Sequence, residues 1–287
     1  MRGPIRALLP KICAVLNPYI TVLRLLPMQK TKYVMNCRIM TSLNKKIIVI
    51  PARMAASRLP GKPLADIAGK PMIQHVWERA IAADIGPVHV ATDDTAIVDV
   101  INAAGGSAIM TRHDHPSGSD RVYEAVQAID PDGAFDQILN LQGDLPEMPT
   151  GIPTALAAAM DYANCELATL VTLASPEERA LPQVVKAVVS WDQAHGQNEF
   201  GRAHYFSRAA IPTGTDQLWH HIGVYGWRRD ALARFITLPQ SPLEISEKLE
   251  QLRAIEAGMT ISVARVDDTA GGVDTPDDLD AVRRRLS

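Results

Sequence analysis

The sequence predicts an α/β fold, a mostly parallel sheet flanked by helices with a smaller β-rich lobe in its second half. Two observations carry this reading. First, the apolar runs Ile47–Ile50, Val88–Ala91 and Ile138–Leu141 alternate with segments of helical apolar spacing, Met72–Ala83, Thr95–Ala104 and Val122–Ile129. Runs without a polar face suit strands buried on both sides, and strand–helix alternation builds parallel βαβ units. Second, the stretch from Leu167 to Trp227 holds successive strands with few helices: Leu167–Leu173, Val184–Val189, Ala203–Phe206 and Ile222–Trp227. The lobe is therefore placed at about 167–240, inside a domain spanning 47–287. A further strand containing Val263 and a helix after Thr275 follow the lobe.

Composition narrows the function classes. Of 287 residues, 47% are hydrophobic and 21% charged, which excludes a disordered chain. The formal net charge is −3, but nine of the 29 Lys and Arg precede Ile47, and no acid occurs before Asp66. The remaining 20 cations face 32 acids, and so acidic a body argues against nucleic acid as the partner. Residues 1–46 form a basic leader expected to lie outside the fold. It reads either as a targeting peptide or as an over-long start, since Met28, Met35 and Met40 offer later initiation sites. Its apolar stretch from Ile12 to Leu26 is broken by Asn17, Pro18 and Arg24, too short and interrupted to span a membrane. Cys13, Cys37 and Cys165 lack C-x-x-C spacing, so neither a disulfide framework nor a cysteine zinc site is expected, and a reducing cytoplasm fits.

The first strand runs into Pro51-Ala52-Arg53 and on to Arg58-Leu59-Pro60-Gly61-Lys62-Pro63. Its prolines delay any helix, so Arg53, Arg58 and Lys62 gather at the carboxyl end of a strand, where open α/β sheets bind ligands. Neither G-x-x-x-x-G-K-[ST] nor G-x-G-x-x-G is present. A nucleoside triphosphate would be held here by guanidinium and ammonium charge, not by a glycine cradle. A solvated basic turn is the alternative.

Thr92 and Asp93 end the second strand and face the same crevice, although Asp93 also suits the cap of the helix near Thr95. Ser117-Gly118-Ser119-Asp120-Arg121 opens a helix, where free N–H groups favour an anion or a polar base edge, or where Ser117 is simply an N-cap. Gln142-Gly143-Asp144 follows a buried strand, and Asp274 stands similarly before a helix start in which Thr275 caps, Pro276 sits at N1, and Asp277 and Asp278 fill the first turn. On local pattern Asp144 is a turn aspartate. Two such carboxylates from distant segments can also hold Mg2+ while phosphates and waters complete its octahedron. Ser241-Pro242-Leu243-Glu244 reads as a capping box. His113-Asp114-His115 sits in a short polar loop before Pro116 with no third His nearby at helical spacing, and His75 reads as a packing histidine.

Taken in order, several segments resemble the sugar-activating cytidylyltransferases, most closely those acting on 3-deoxy-manno-octulosonate (KDO). They are the Pro51–Pro63 loop, Gly69–Ile73, Ala91–Asp94, Ser117–Arg121, Gln142–Asp144, Tyr205–Arg208, His221–Gly226, Leu249–Arg253 and Gly272–Pro276. The resemblance implies a Rossmann-like nucleotidyltransferase fold of the glycosyltransferase-A-like kind. It also implies CMP transfer from CTP to KDO with release of pyrophosphate, serving lipopolysaccharide synthesis in a cytoplasmic homodimer. Lys62, Arg53 and Asp144 would then be catalytic, and Asp144 and Asp274 would hold Mg2+. The nucleotide would meet Ala52, Arg53, Lys62, Thr92, Asp93, Ser117, Gly118, Arg121 and Gln142, and the sugar Arg58, Arg208, His221, Tyr225, Glu244 and Gln251. Three departures bear on sugar choice and metal affinity: Leu145 where the family has Glu, Ile245 where it has His, and Trp227 where it has Tyr. N-acylneuraminate or another acidic sugar, a different nucleotide, and a silent nucleotide-binding homologue remain open.

Overall fold

The computed structural model describes residues 45–55, 59–162, 165–192, 199–267 and 271–286. All of them fall in the contact unit Ser42–Ser287. The leader up to residue 44, and Arg58, lie outside the described residues. In chain order the strands are β1 (Lys46–Ala52), β2 (Asp66–Ile67), β3 (Lys70–Pro71), β4 (Val88–Thr92), β5 (Ser107–Met110), β6 (Gln137–Asn140), β7 (Leu167–Leu173), β8 (Lys186–Trp191), β9 (Phe200–Ser207), β10 (Trp219–Arg228) and β11 (Ile261–Arg265). The helices are α1 (Met72–Ala82), α2 (Thr95–Ala103), α3 (Gly118–Ile129), α4 (Gly151–Tyr162), α5 (Arg229–Phe235), α6 (Pro242–Glu247), α7 (Gln251–Glu256) and α8 (Pro276–Leu286).

Strand β1 shows why its sequence is apolar without alternation. Ile48 and Ile50 pack with Ile73 and Val76 of α1 on one face, while Ile47 and Val49 pack with Val122, Ala125 and Val126 of α3 on the other. All four strand residues are fully buried, so both faces of the pleat demand apolar side chains. The strand begins at Lys46, and the Lys45 carbonyl accepts from Asp136 and Gln137, so the fold starts slightly before Ile47.

Nine strands form one sheet in the order β5-β4-β1-β6-β10-β7-β11-β9-β8. Its arrangement is mixed, which corrects the expectation of a mostly parallel sheet. Strands β5, β4, β1 and β6 run parallel, but β10 enters antiparallel between β6 and β7, and β8 and β9 form an antiparallel edge. Nor do the strands of the 167–240 segment form a sheet of their own. Strand β10 pairs with β6 over Tyr225–Arg228 and with β7 over most of its length, so the segment completes the main sheet. Strand β11 then lies parallel to β7 and antiparallel to β9.

Candidate active site

A cleft of about 320 Å3 opens at the carboxyl end of β1. Ala52 and Arg53 leave β1 into its wall, Ser117, Gly118 and Arg121 border it from the start of α3, and Gln142 and Asp144 enter from the loop after β6. Lys62 and Asp274 complete this group. Seven of the nine residues expected at the nucleotide therefore share one cavity.

The cleft's electrostatic centre is a single ammonium. Lys62 Nζ donates to Asp144 Oδ2 at 2.8 Å, to Asp274 Oδ1 at 3.2 Å and to the Val273 carbonyl at 2.8 Å. A backbone bond from Val273 N–H to the Asp144 carbonyl, 3.0 Å, holds the two acidic loops together. The two aspartates thus meet at Lys62, which is their shared countercharge as well as a cation of the cleft. Gly143 sits between Gln142 and Asp144 for a steric reason: a Cβ there would lie 2.8 Å from the Pro51 carbonyl oxygen. The close approach that demands glycine is to β1's own backbone. Leu145, next in the chain, is buried in the core.

Thr92 and Asp93 stand behind this wall. Thr92 is fully buried, its hydroxyl accepting from Asp94 N–H at 3.2 Å and its carbonyl from Thr111 N–H at 2.8 Å. Asp94, not Asp93, caps α2 by accepting from Ala96 N–H. Asp93 instead pairs with Arg121 Nη2 at 3.0 Å, and Arg121 Nη1 donates to Thr111 Oγ1 at 2.6 Å. Asp93 therefore orients the arginine that reaches the cleft. Gln142 donates to the Gly223 carbonyl at 2.9 Å, tying the cleft to β10.

Ser117 is the N-cap of α3, accepting from Asp120 N–H, and its Oγ also lies 2.8 Å from Glu250 Oε1. Glu250 was not among the predicted site residues. Burial pushes its carboxyl above the usual range, against the opposing pull of Ser117 and Ser119. The only sequence signal for it is its place beside Gln251 in the Leu249–Arg253 motif.

Three of the residues expected at the sugar form one cluster. Tyr225 donates to Gln251 Oε1 at 3.1 Å, Gln251 Nε2 approaches His221 Nδ1 at 3.5 Å, and His221 Nε2 lies 2.9 Å from Thr169 Oγ1. Burial lowers the His221 pKa to about 3, so the ring is neutral, and burial raises the Tyr225 phenol well above its ordinary value. Arg208 and Glu244 are engaged elsewhere. Arg208 spans the carbonyls of Pro182, Glu247 and Lys248. Glu244 closes the capping box with Ser241 and takes a two-pronged bond from Arg253, at 2.8 and 2.6 Å. Both Glu244 oxygens are thus used in holding α6 to α7. His75 Nε2 meets the Ile67 carbonyl at 2.8 Å, the packing role read for it, and no group of three metal-ligating side chains occurs among the described residues.

An α/β sheet whose strand ends gather cations, two aspartates and a helix N-terminus in one cleft defines a protein of the nucleotidyltransferase class. Residues 47–261 match the model of the family described as Cytidylyltransferase, and the chain belongs to that family. A relative from Paramagnetospirillum magneticum (strain ATCC 700264 / AMB-1) is 55% identical over 241 residues, covering 84% of this chain and 97% of the relative. Another from Methylorubrum extorquens (strain PA1) is 52% identical over 246 residues, covering 85% and 98%. Both are named 3-deoxy-manno-octulosonate cytidylyltransferase. A solved structure of CMP:2-keto-3-deoxy-manno-octonic acid synthetase complexed with CTP superposes with a TM-score of 0.76 at 43% identity, covering 84% of this chain and 98% of that one.

Proposed function

We propose that this chain transfers CMP from CTP to KDO, giving CMP-KDO and pyrophosphate. The observation that carries the reading is the shared Lys62 ammonium between Asp144 and Asp274, in a cleft that also holds Arg53. Relatives more than half identical over nearly their whole length carry the matching name. The sugar's anomeric hydroxyl attacks the α-phosphorus in line, and pyrophosphate leaves. Such chemistry asks the protein mainly for positioning and charge neutralisation. Arg53 and Lys62 lower the charge of the triphosphate so that an anionic sugar can approach. Ser117 and Gly118 present the start of α3 to the nucleotide, and His221, Tyr225 and Gln251 supply neutral hydrogen-bonding groups on the sugar's side.

The donor set of Asp144 and Asp274 fits Mg2+. Two hard carboxylates brought together around the Lys62 ammonium are donors of the kind used by a cation that keeps several waters and takes further oxygens from phosphate, and Mg2+ would lie beside Lys62 and not in its place. Mg2+ there would supply Lewis-acid charge stabilisation to the phosphates. The enzyme is further read as a cytoplasmic homodimer whose product feeds lipopolysaccharide synthesis; among the described residues no helix is long and apolar enough to cross a membrane.

A coupled pyrophosphate-release assay across four nucleoside triphosphates and several acidic sugars tests the reading. Turnover with CTP and KDO is expected to dominate. Preferential turnover of N-acylneuraminate, or none with any pair, would overturn it. Native mass measurement checks the dimer.

A further inference from the structure

The nucleotide wall contains a histidine that neither the sequence pattern nor the site geometry above has employed. Residues 111–117 join β5 to α3, and the last three of them, His115, Pro116 and Ser117, border the cleft. One carboxylate of α3 fastens this connection at two points, Arg112 and His115. Glu124 accepts from the Arg112 backbone N–H at 3.2 Å, and its Oε2 is hydrogen-bonded to His115 Nε2. A carboxylate only accepts, so Nε2 carries the proton of this bond. The His115 side chain is 4% exposed, packed into the wall and not displayed on the surface.

We propose that His115, clamped by Glu124, is a positioning residue for CTP, holding the wall so that Ser117 and Gly118 meet the nucleotide in a preformed arrangement. The inference rests on the nucleotide-binding part of the function proposed above. Glu124 lies in the second turn of α3, so the clamp ties the connection to the same helix whose first turn borders the cleft. Without the clamp, the connecting residues regain freedom that CTP must then remove on binding, and the lost order appears as weaker affinity.

The test is CTP affinity by calorimetry in the presence of Mg2+, with KM for both substrates, on the full chain. His115→Ala and Glu124→Ala should each weaken CTP binding about tenfold to a hundredfold, the range for losing a hydrogen bond to a charged group. KM for KDO, and kcat at saturating CTP, should stay within about twofold. His115→Gln places its amide nitrogen near the Nε2 position and should restore most of the affinity, whereas His115→Asn, whose nitrogen falls near Nδ1, should not. The double alanine variant should be no worse than Glu124→Ala alone, because that change already removes the bond lost in His115→Ala along with the Arg112 contacts. If His115→Ala fails to fold, Glu124→Gln, which keeps the side chain's shape and weakens the bond, provides the same comparison. Unchanged CTP affinity, or rescue by Asn and not by Gln, overturns the proposal. Failure of the unsubstituted protein to bind CTP would instead overturn the functional reading beneath it.

Discussion

Lys62 and Asp144, 82 positions apart in the chain, form a 2.8 Å ion pair in the cleft, and Asp274 accepts from the same ammonium. The pair couples the loop after β1 to the loop after β6, so the cation is held in place before it meets phosphate. Lys62→Ala should lower kcat/KM by about 10^2 to 10^3, the usual loss of one preorganised charge-stabilising donor. The Lys62 side chain is only 14% exposed and its ammonium also bonds Asp144 and the Val273 carbonyl, so the substitution should also cost stability, on the order of 1 to 3 kcal/mol. Pyrophosphate release and urea unfolding measure the two effects separately. A Lys62→Ala protein with near-full activity refutes the assignment.

Asp144→Asn and Asp274→Asn test the proposed cation site. Each substitution keeps the side chain's size and removes one negative charge, so the Mg2+ concentration for half-maximal activity should rise by at least about 10- to 100-fold, the range seen even for groups one step removed from a metal. Chelation should abolish pyrophosphate release, and added Mg2+ should restore it. An unchanged Mg2+ requirement in both variants would place the ion elsewhere.

What the sequence reveals of this molecule is what local patterns encode. Leu167–Leu173 is a strand at the predicted bounds because six of its seven residues are buried, and the Thr275-Pro276 signal starts α8 at Pro276. Lys62 can be placed by the strand and prolines before it, whereas Asp144, on local pattern a turn aspartate, and Asp274, just before a helix start, are singled out only by the resemblance of their motifs. The position of β10 was not legible, since its antiparallel entry between β6 and β7 is decided by pairing far along the chain. Helix α4, Gly151–Tyr162, was also missed: its buried residues Ile152, Pro153, Leu156, Ala157, Ala159 and Met160 lie on one side, but Ala155 and Ala158 stand on the other, so the sequence shows little contrast between an apolar and a polar face. Glu250 escaped for the first reason again, as its contact with Ser117 spans 133 positions.

Asp93 and Arg121 separate orientation from ligand contact. Their 3.0 Å pair is largely buried, with side chains 15% and 4% exposed. Asp93→Ala leaves a buried guanidinium without its partner and should cost about 3 to 5 kcal/mol of stability. Arg121→Ala should in addition weaken CTP binding, since Arg121 itself borders the cleft. Chemical denaturation and CTP titration of the two variants check this. Equal stability of Asp93→Ala and the parent would show that the pair does not hold the wall.

His221 makes the stability of the fold depend on pH in a calculable direction. Burial lowers its pKa from 6.5 to about 3, so the unfolded chain binds a proton that the folded chain refuses between those values. Stability from this group is therefore complete above about pH 6.5 and drains away as pH falls towards 3; by linkage about 2 kcal/mol is lost between pH 7 and pH 5. His221→Gln keeps a hydrogen-bonding group beside Thr169 but has no proton to gain. Urea unfolding at pH 7 and pH 5 should show the parent losing about 2 kcal/mol more than this variant, because the other titrating groups cancel in the comparison. Parallel losses would mean that His221 is accessible to protons in the folded protein. The same neutrality limits what His221 offers a sugar. It is a hydrogen-bonding group and not a countercharge for a carboxylate, so the profile of activity between pH 6 and 8 should be the same in the parent and in His221→Gln, even where the variant's KM for KDO is raised.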